Sequence, residues 1–246
     1  MEAMCAAAAA ASEAGSPWFF NPCLVLSEAP RWVEGVWITL HLTALALVFG
    51  FVLALPMACA RAARAPVVDT LVRGYVYVFR GSPLLVQLFL IYYGLAQFGF
   101  VRDSLLWPVL RDAWWCCLIA FTLNSAAYQT EILRGALVAT AKGDREACAA
   151  LGMSPWLAAR RVLIPGALRR ALPQLGNETV FMLHGSAIAS LVTIQDILGV
   201  GRLVNGRYYV VYEGLLTAAA LYMALTWLVV WGVARLERRY LRHLAR

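Results

Sequence analysis

Four stretches of the chain, residues 37–60, 113–133, 171–192 and 214–234, are apolar almost throughout, and each approaches the roughly 20 residues that an α-helix needs to cross hydrocarbon. A backbone inside a bilayer must satisfy its own N–H and C=O groups, so runs like these fold as helices. A fifth region, 67–100, is longer and is interrupted by Arg80, Gly81, Ser82 and Pro83. It reads as one discontinuous span whose break needs protein or a watery cavity beside it. The expected fold class is therefore an all-α integral membrane protein with about five transmembrane helices. Composition agrees, at 62% hydrophobic and 14% charged residues, where soluble domains carry roughly 45–50% and 25%.

The basic residues set the orientation. Arg61 and Arg64, seven Lys or Arg from 134 to 170, and five from 235 to 246 fall on one side of the spans. The other side holds Arg31, Arg102, Arg111, Arg202 and Arg207, while Arg73 and Arg80 lie within the second span. The positive-inside rule then places the N-terminus outside and the C-terminus in the cytoplasm. The net charge of +7 flanks the inward span ends instead of forming one stripe, which argues for a lipid bilayer and against nucleic acid as the partner.

Residues 1–34 are expected to be an external, non-cleaved tail, with an upstream mis-start as the alternative for its first part, because no Lys or Arg precedes the alanine run at 5–11 to serve as the positive region of a secretion signal. Residues 35–246 would form one transmembrane domain. The cysteines at 5, 23, 59, 116, 117 and 148 have no metal-ligand spacing and read as small apolar fillers, with no metal site. An oxidising exterior would allow a Cys5–Cys23 bond, but two cysteines of a loose tail are expected to stay unbonded, and nothing structural depends on the pair.

The loop at about 134–170 is the most informative part. Glu146, Ala147, Cys148, Ala149 and Ala150 give a helix so thinly clothed that another surface can approach its backbone. A corner follows at Gly152, Met153, Ser154 and Pro155. Glycine takes the left-handed conformation that ends a helix, serine caps the next, and proline suits its first position. The second helix is expected at about 156–163, stopping before Pro165. Such turn chemistry argues for a docking element and against a disordered linker.

Ionisable groups inside spans cost roughly 2.5–3.5 kcal/mol on insertion scales, so each calls for a role. Glu178, close after Pro173 with Gln174 and Asn177 nearby, would attract a cationic solute in a narrow cavity. Its plainer reading is an interfacial carboxylate at a positive helix end. Arg80 sits about mid-depth at the break, where it could bind a solute carboxylate or an internal one. Glu131 could be its partner, or could pair with Arg134 at i+3. His184 lies about 120° around the helix from Glu178 and reads as a buried neutral histidine with one hydrogen bond. Asn124 and Ser125 would line the path or serve as interhelical hydrogen-bonding groups.

Glu146-Ala147-Cys148, Gly152, then Val162, Ile164 and Pro165 resemble the E-A-A-x3-G-x9-I-x-L-P signature of binding-protein-dependent ABC importer permeases. Cys148, Val162 and Ile164 depart from it with their small or apolar character kept. Arg80-Gly81-Ser82-Pro83, Asn124 to Tyr128 with Glu131, and Asn177-Glu178 followed by Met182-Leu183-His184 are similar to the histidine/lysine-arginine-ornithine permeases of the polar amino-acid branch. The resemblance implies five spans in a bacterial inner membrane and a second permease subunit, either a homologous chain or a copy. It also implies a periplasmic substrate-binding protein and an ATPase dimer that grips the loop through Glu146, Ala147, Ala150, Gly152, Met153, Ser154 and Pro155. ATP and Mg would belong to that partner, leaving this chain without a cofactor or catalytic residues. The solute it implies is a polar, basic L-amino acid, with Glu178, Asn177, Arg80, Asn124 and Ser125 as contacts. The alternatives are an importer of another polar or neutral amino acid or derivative, and an ion-coupled transporter or channel using the same buried charges without an ATPase. A membrane-embedded enzyme is disfavoured, since neither HExxH nor GxSxG occurs, and no Walker pattern is present.

Overall fold

The computed structural model describes residues 20–63, 66–140 and 142–240, and every regular element among them is helical. The alanine run and Cys5, and with it the Cys5–Cys23 pairing, lie outside the described residues. Short α1 (Pro22–Ser27) leads into α2 (Ala29–Ala62), which is 34 residues long and begins well ahead of the apolar run that marks it in the sequence. Next come α3 (Pro66–Gly81) and α4 (Leu84–Phe89), the latter running on through a widened turn at Leu90–Gly94 and a tight one at Leu95–Gln97. Two single-turn helices, α5 (Gly99–Arg102) and α6 (Trp107–Leu110), precede α7 (Ala113–Val138). The remaining helices are α8 (Lys142–Ala150), α9 (Pro155–Ala158), α10 (Ile164–Gly185), α11 (Ile197–Tyr208) and α12 (Tyr212–Tyr240).

By length and apolarity α2 and α12 each suffice to cross a membrane, and two bent pairs raise the number to four among the described residues. One pair is Pro66–Gly81 with Leu84–Gln97, bent by 104°, so the discontinuity expected at Ser82-Pro83 is real. The other is Pro155–Val192 with Ile197–Tyr208, bent by 45°. α7 has the length, 26 residues, yet is less apolar, because Asn124, Ser125, Gln129 and Glu131 interrupt its sequence. The first three of these are buried against protein, where a polar side chain finds hydrogen-bond partners that lipid does not offer.

The chain packs as two units, Met1–Leu42 with Leu183–Trp227, and Thr43–Met182 with Leu228–Arg246. In the first, Trp32, Ile197, Val200, Val204 and Ala218 form the core. Asp196, fully buried, caps α11 by accepting from the Gly199 N–H at 2.8 Å and from the Tyr222 hydroxyl at 2.9 Å. Buried Glu28 gathers Arg31 at 2.9 Å, the Tyr208 hydroxyl at 2.7 Å and Arg207 at 3.3 Å. α11 and α12 approach backbone to backbone: a Cβ on Gly201 would lie 2.8 Å from the Gly214 carbonyl oxygen, and one on Gly214 would collide with the Gly201 carbonyl. Overpacking of this kind costs about 1–3 kcal/mol. Gly214→Ala should therefore lower the melting temperature of the detergent-purified chain by several degrees, and an unchanged melt would contradict the close approach.

The second unit buries Ala54, Ala58, Leu133, Leu137, Ala167 and Ala171 in one cluster, and Val72, Val76 and Ala127 in another. Small residues let helix backbones approach closely where lipid supplies no hydrophobic drive. Gly176 is tighter still, since a Cβ there would lie 2.5 Å from a Val233 methyl. An ion-pair cluster ties α2, α3 and α7. Arg61 pairs with Asp69 at 3.0 Å and with Glu131, Arg134 pairs with Glu131 at 2.8 Å, and Arg73 pairs with Asp69 at 2.6 Å. Glu131 thus takes Arg134, as the i+3 spacing allows, together with Arg61, and is not paired with Arg80. Arg61 is the hub and largely buried, and stranding a charged partner costs about 1–3 kcal/mol or more. Arg61→Gln should accordingly lower the thermal midpoint by several degrees, whereas Arg73→Gln, at an exposed position, should barely move it.

Candidate functional site

The broken helix is closed by buried amides. Pro83 has no N–H and ends α3, leaving carbonyls without helical donors. Gln87 Nε2 donates to the carbonyls of Phe79 (2.8 Å) and Ser82 (3.0 Å), and Asn124 Nδ2 donates to Phe79 O (3.2 Å) and Gln87 Oε1 (3.1 Å). Asn124 is thus spent on holding the break. Gln87 was not singled out from sequence; its place four residues after Pro83 in an apolar segment was the available signal.

Glu178 is 5% exposed and lies on the inner face of α10. Its Oε1 accepts from the Ser125 hydroxyl at 2.8 Å, and Ser125 Oγ accepts in turn from Gln129 Nε2 at 2.9 Å. Gln129 also donates to the Leu47 carbonyl at 3.1 Å, an approach permitted by Gly50, where a Cβ would sit 3.0 Å from Gln129 Nε2. Glu178 and Gln129, the two ends of this row, border a cavity of about 270 Å³ that is otherwise lined mainly by Leu47, Val48, Phe51, Val52 and Leu175. A buried carboxylate in such surroundings is costly without a counter-charge. Gln129, one helical turn after Ser125, was missed from sequence although a buried amide in a span is itself a signal.

A second cavity, of about 620 Å³, is lined by Arg61, Arg73, Arg80, Tyr77, Tyr128 and Glu131, among others. Exposed Arg80 stacks over the Tyr128 ring at 5.0 Å and makes no ion pair among the described residues. Asn177 faces out, a 100° step from buried Glu178 along the helix, so neighbours in sequence are not brought together. Gln174 lines a different cavity with Glu131 and Arg170. His184, expected to be buried, is exposed; it does make one hydrogen bond, 2.9 Å from the Thr226 hydroxyl.

The loop forms the expected corner. Gly152 has φ +67°, and Ser154 caps α9 by accepting from the Leu157 N–H at 3.3 Å, with Pro155 in the first turn. One expectation fails: the helix does not stop before Pro165. A widened turn at Ala159–Leu163 carries the chain helically from α9 into α10. That turn shifts the hydrogen-bond register ahead of the proline, where an ordinary helix would lose a bond and clash with the ring. The loop is braced on the end of α7 and the turn that follows it, with Arg145 donating to Leu137 O at 3.0 Å and Arg170 to the Thr140 hydroxyl at 2.6 Å. Glu146, Ala147, Ala150, Gly152, Ser154 and Pro155 are exposed, Met153 is half-buried, and bulky Leu151 and Trp156 stand out at 79% and 72% exposure. Cys148 points inward.

This chain is similar to several known proteins over most of its length. It is 39% identical over 207 residues to the nopaline transport system permease protein of Agrobacterium fabrum, covering 84% of this chain and 86% of that one. It is 37% identical over 210 residues to the histidine/lysine/arginine/ornithine transport system permease protein of Escherichia coli K12, with 85% and 88% covered. Its fold superposes on a chain of the crystal structure of an amino acid ABC transporter with a TM-score of 0.78, at 34% identity, covering 87% of this chain and 96% of that chain. Residues 37–242 match the family model of the inner membrane component of binding-protein-dependent transport systems. A polar row buried among apolar helices, and a cornered loop beside them, are thus carried by a chain that belongs to the binding-protein-dependent transport system inner membrane components.

Proposed function

We propose that this chain is the translocation subunit of an ATP-driven importer for basic L-amino acids of the arginine, histidine, lysine and ornithine type. The observation that carries the reading is buried Glu178, held by Ser125 at 2.8 Å on the wall of a cavity. A cationic side chain entering there would meet a desolvated carboxylate, an interaction stronger than in bulk water. Arg80, which has no ion pair among the described residues, is the candidate for the solute's carboxylate. Ser125 would act by holding Glu178 and Asn124 by closing the helix break, and outward-facing Asn177 would contact solute only across a subunit boundary.

In this reading the chain crosses a bacterial inner membrane about five times, with its N-terminus periplasmic, its C-terminus cytoplasmic and 134–170 as the coupling loop. An ATPase dimer carrying ATP and Mg grips Glu146 to Pro155, a second permease subunit completes the pore, and a periplasmic binding protein delivers solute. The braced loop and its exposed Leu151 and Trp156 support that use, since a rigid bracket transmits motion that a slack linker would absorb. The nopaline permease among the relatives favours a second reading, import of an amino-acid derivative. Competition against labelled arginine uptake in cells that depend on this transporter tests the choice. Histidine, lysine and ornithine should compete and neutral amino acids should not; equal competition by neutral amino acids would contradict the basic-solute reading.

A further inference from the structure

The C-terminal end of α12 carries a basic surface that neither the solute path nor the coupling loop uses. Arg235, Arg238 and Arg239, with Gly232 and Leu236, line a cavity of about 600 Å³. At 100° per residue, Leu228, Trp231, Gly232, Arg235, Arg238 and Arg239 all fall within an arc of about 120° on one face. Leu228 and Trp231 are 51% and 48% exposed, and a Cβ on Gly232 would meet nothing within 4 Å, so the face has a notch between its apolar and basic parts. The Arg235 guanidinium lies over the Trp231 ring at 5.3 Å. None of the three arginines makes an ion pair among the described residues, and Glu237 lies about 200° around the helix from Arg235, off the arc.

The heights of these groups name the ligand. Residues 215–234 carry no charge, and twenty residues at 1.5 Å each span about 30 Å, the thickness of hydrocarbon. Arg235 therefore stands at the hydrocarbon edge, and Arg238 and Arg239 reach about 5–6 Å further, to the level of lipid phosphates. Trp231, one helical turn before Arg235 and so about 6 Å inside that edge, carries the Arg235 guanidinium over its ring. We propose that this face binds an anionic phospholipid: its phosphate lies among Arg235, Arg238 and Arg239, and its acyl chain runs down past Gly232 over Leu228 and Trp231. Arginine suits the role because its planar fork pairs with phosphate oxygens through two hydrogen bonds at once.

Native mass spectrometry of the full chain purified in detergent tests this, with phosphatidylglycerol and phosphatidylcholine of matched acyl chains as probes. Wild type should retain one phosphatidylglycerol at concentrations where phosphatidylcholine is lost. The R235Q/R238Q/R239Q variant should reduce that retention at least several-fold, and an R235K/R238K/R239K variant should recover part of it, which separates loss of charge from loss of fold. Equal retention of phosphatidylglycerol by wild type and the glutamine variant would overturn the proposal. Displacement of the lipid by millimolar inorganic phosphate would overturn it as well, by marking the face as a site for free anions.

Discussion

Replacing Gly152 with valine should abolish ATP-driven uptake while the chain still accumulates in the membrane. Gly152 sits at φ +67° with open space around its Cβ position, so a side chain there clashes with nothing but its own backbone. The left-handed conformation costs an L-residue roughly 1–2 kcal/mol, and more for a β-branched one. The corner would relax toward a right-handed turn and swing α9 away from the angle that Ser154 and Pro155 set. Asparagine tolerates the left-handed region better than most residues, which yields a graded series of glycine, asparagine, alanine and valine in falling order of uptake. The alanine variant should lose about tenfold, at 1.4 kcal/mol per factor of ten. Uptake rates normalised to membrane-embedded protein check this, and a flat series would show that the corner's shape does not matter to transport.

Glu178→Gln is the second large effect. Glutamine keeps the shape and an oxygen for the Ser125 hydroxyl, so helix packing should survive and only the charge goes. Removing one member of a buried charge pair costs about 2–5 kcal/mol, hence at least a tenfold fall in the preference for arginine over a neutral amino acid of similar size. Gln129→Leu should act more weakly, since it frees Ser125 from one donor and leaves the carboxylate in place. If the glutamine variant kept the arginine preference of wild type, Glu178 would be an interfacial or structural carboxylate and the basic-solute assignment would lose its footing.

The parts of this molecule that could be read in advance are those decided within a few residues. The corner at Gly152 to Pro155 is local turn chemistry, and the break at Ser82-Pro83 follows from proline's missing donor. Glu178 stood out because a charge in an apolar run is conspicuous. What escaped depends on partners far apart in sequence: Arg61 meets Glu131, and Gln129 reaches Leu47. No periodicity within one helix reveals such pairs. Pro165 misled in the opposite way, since a widened turn at Ala159–Leu163 absorbs a proline that ordinarily ends a helix. Asn177 shows the limit of adjacency, because one residue along an α-helix is a 100° turn.

Arginine uptake into liposomes holding the assembled transporter, with its binding protein supplied outside and ATP enclosed within, tests the central claim most directly. The account predicts accumulation that requires ATP, requires the ATPase subunit and fails in the Gly152→Val assembly. Accumulation by this chain without the ATPase, driven by a proton or sodium gradient, would contradict it.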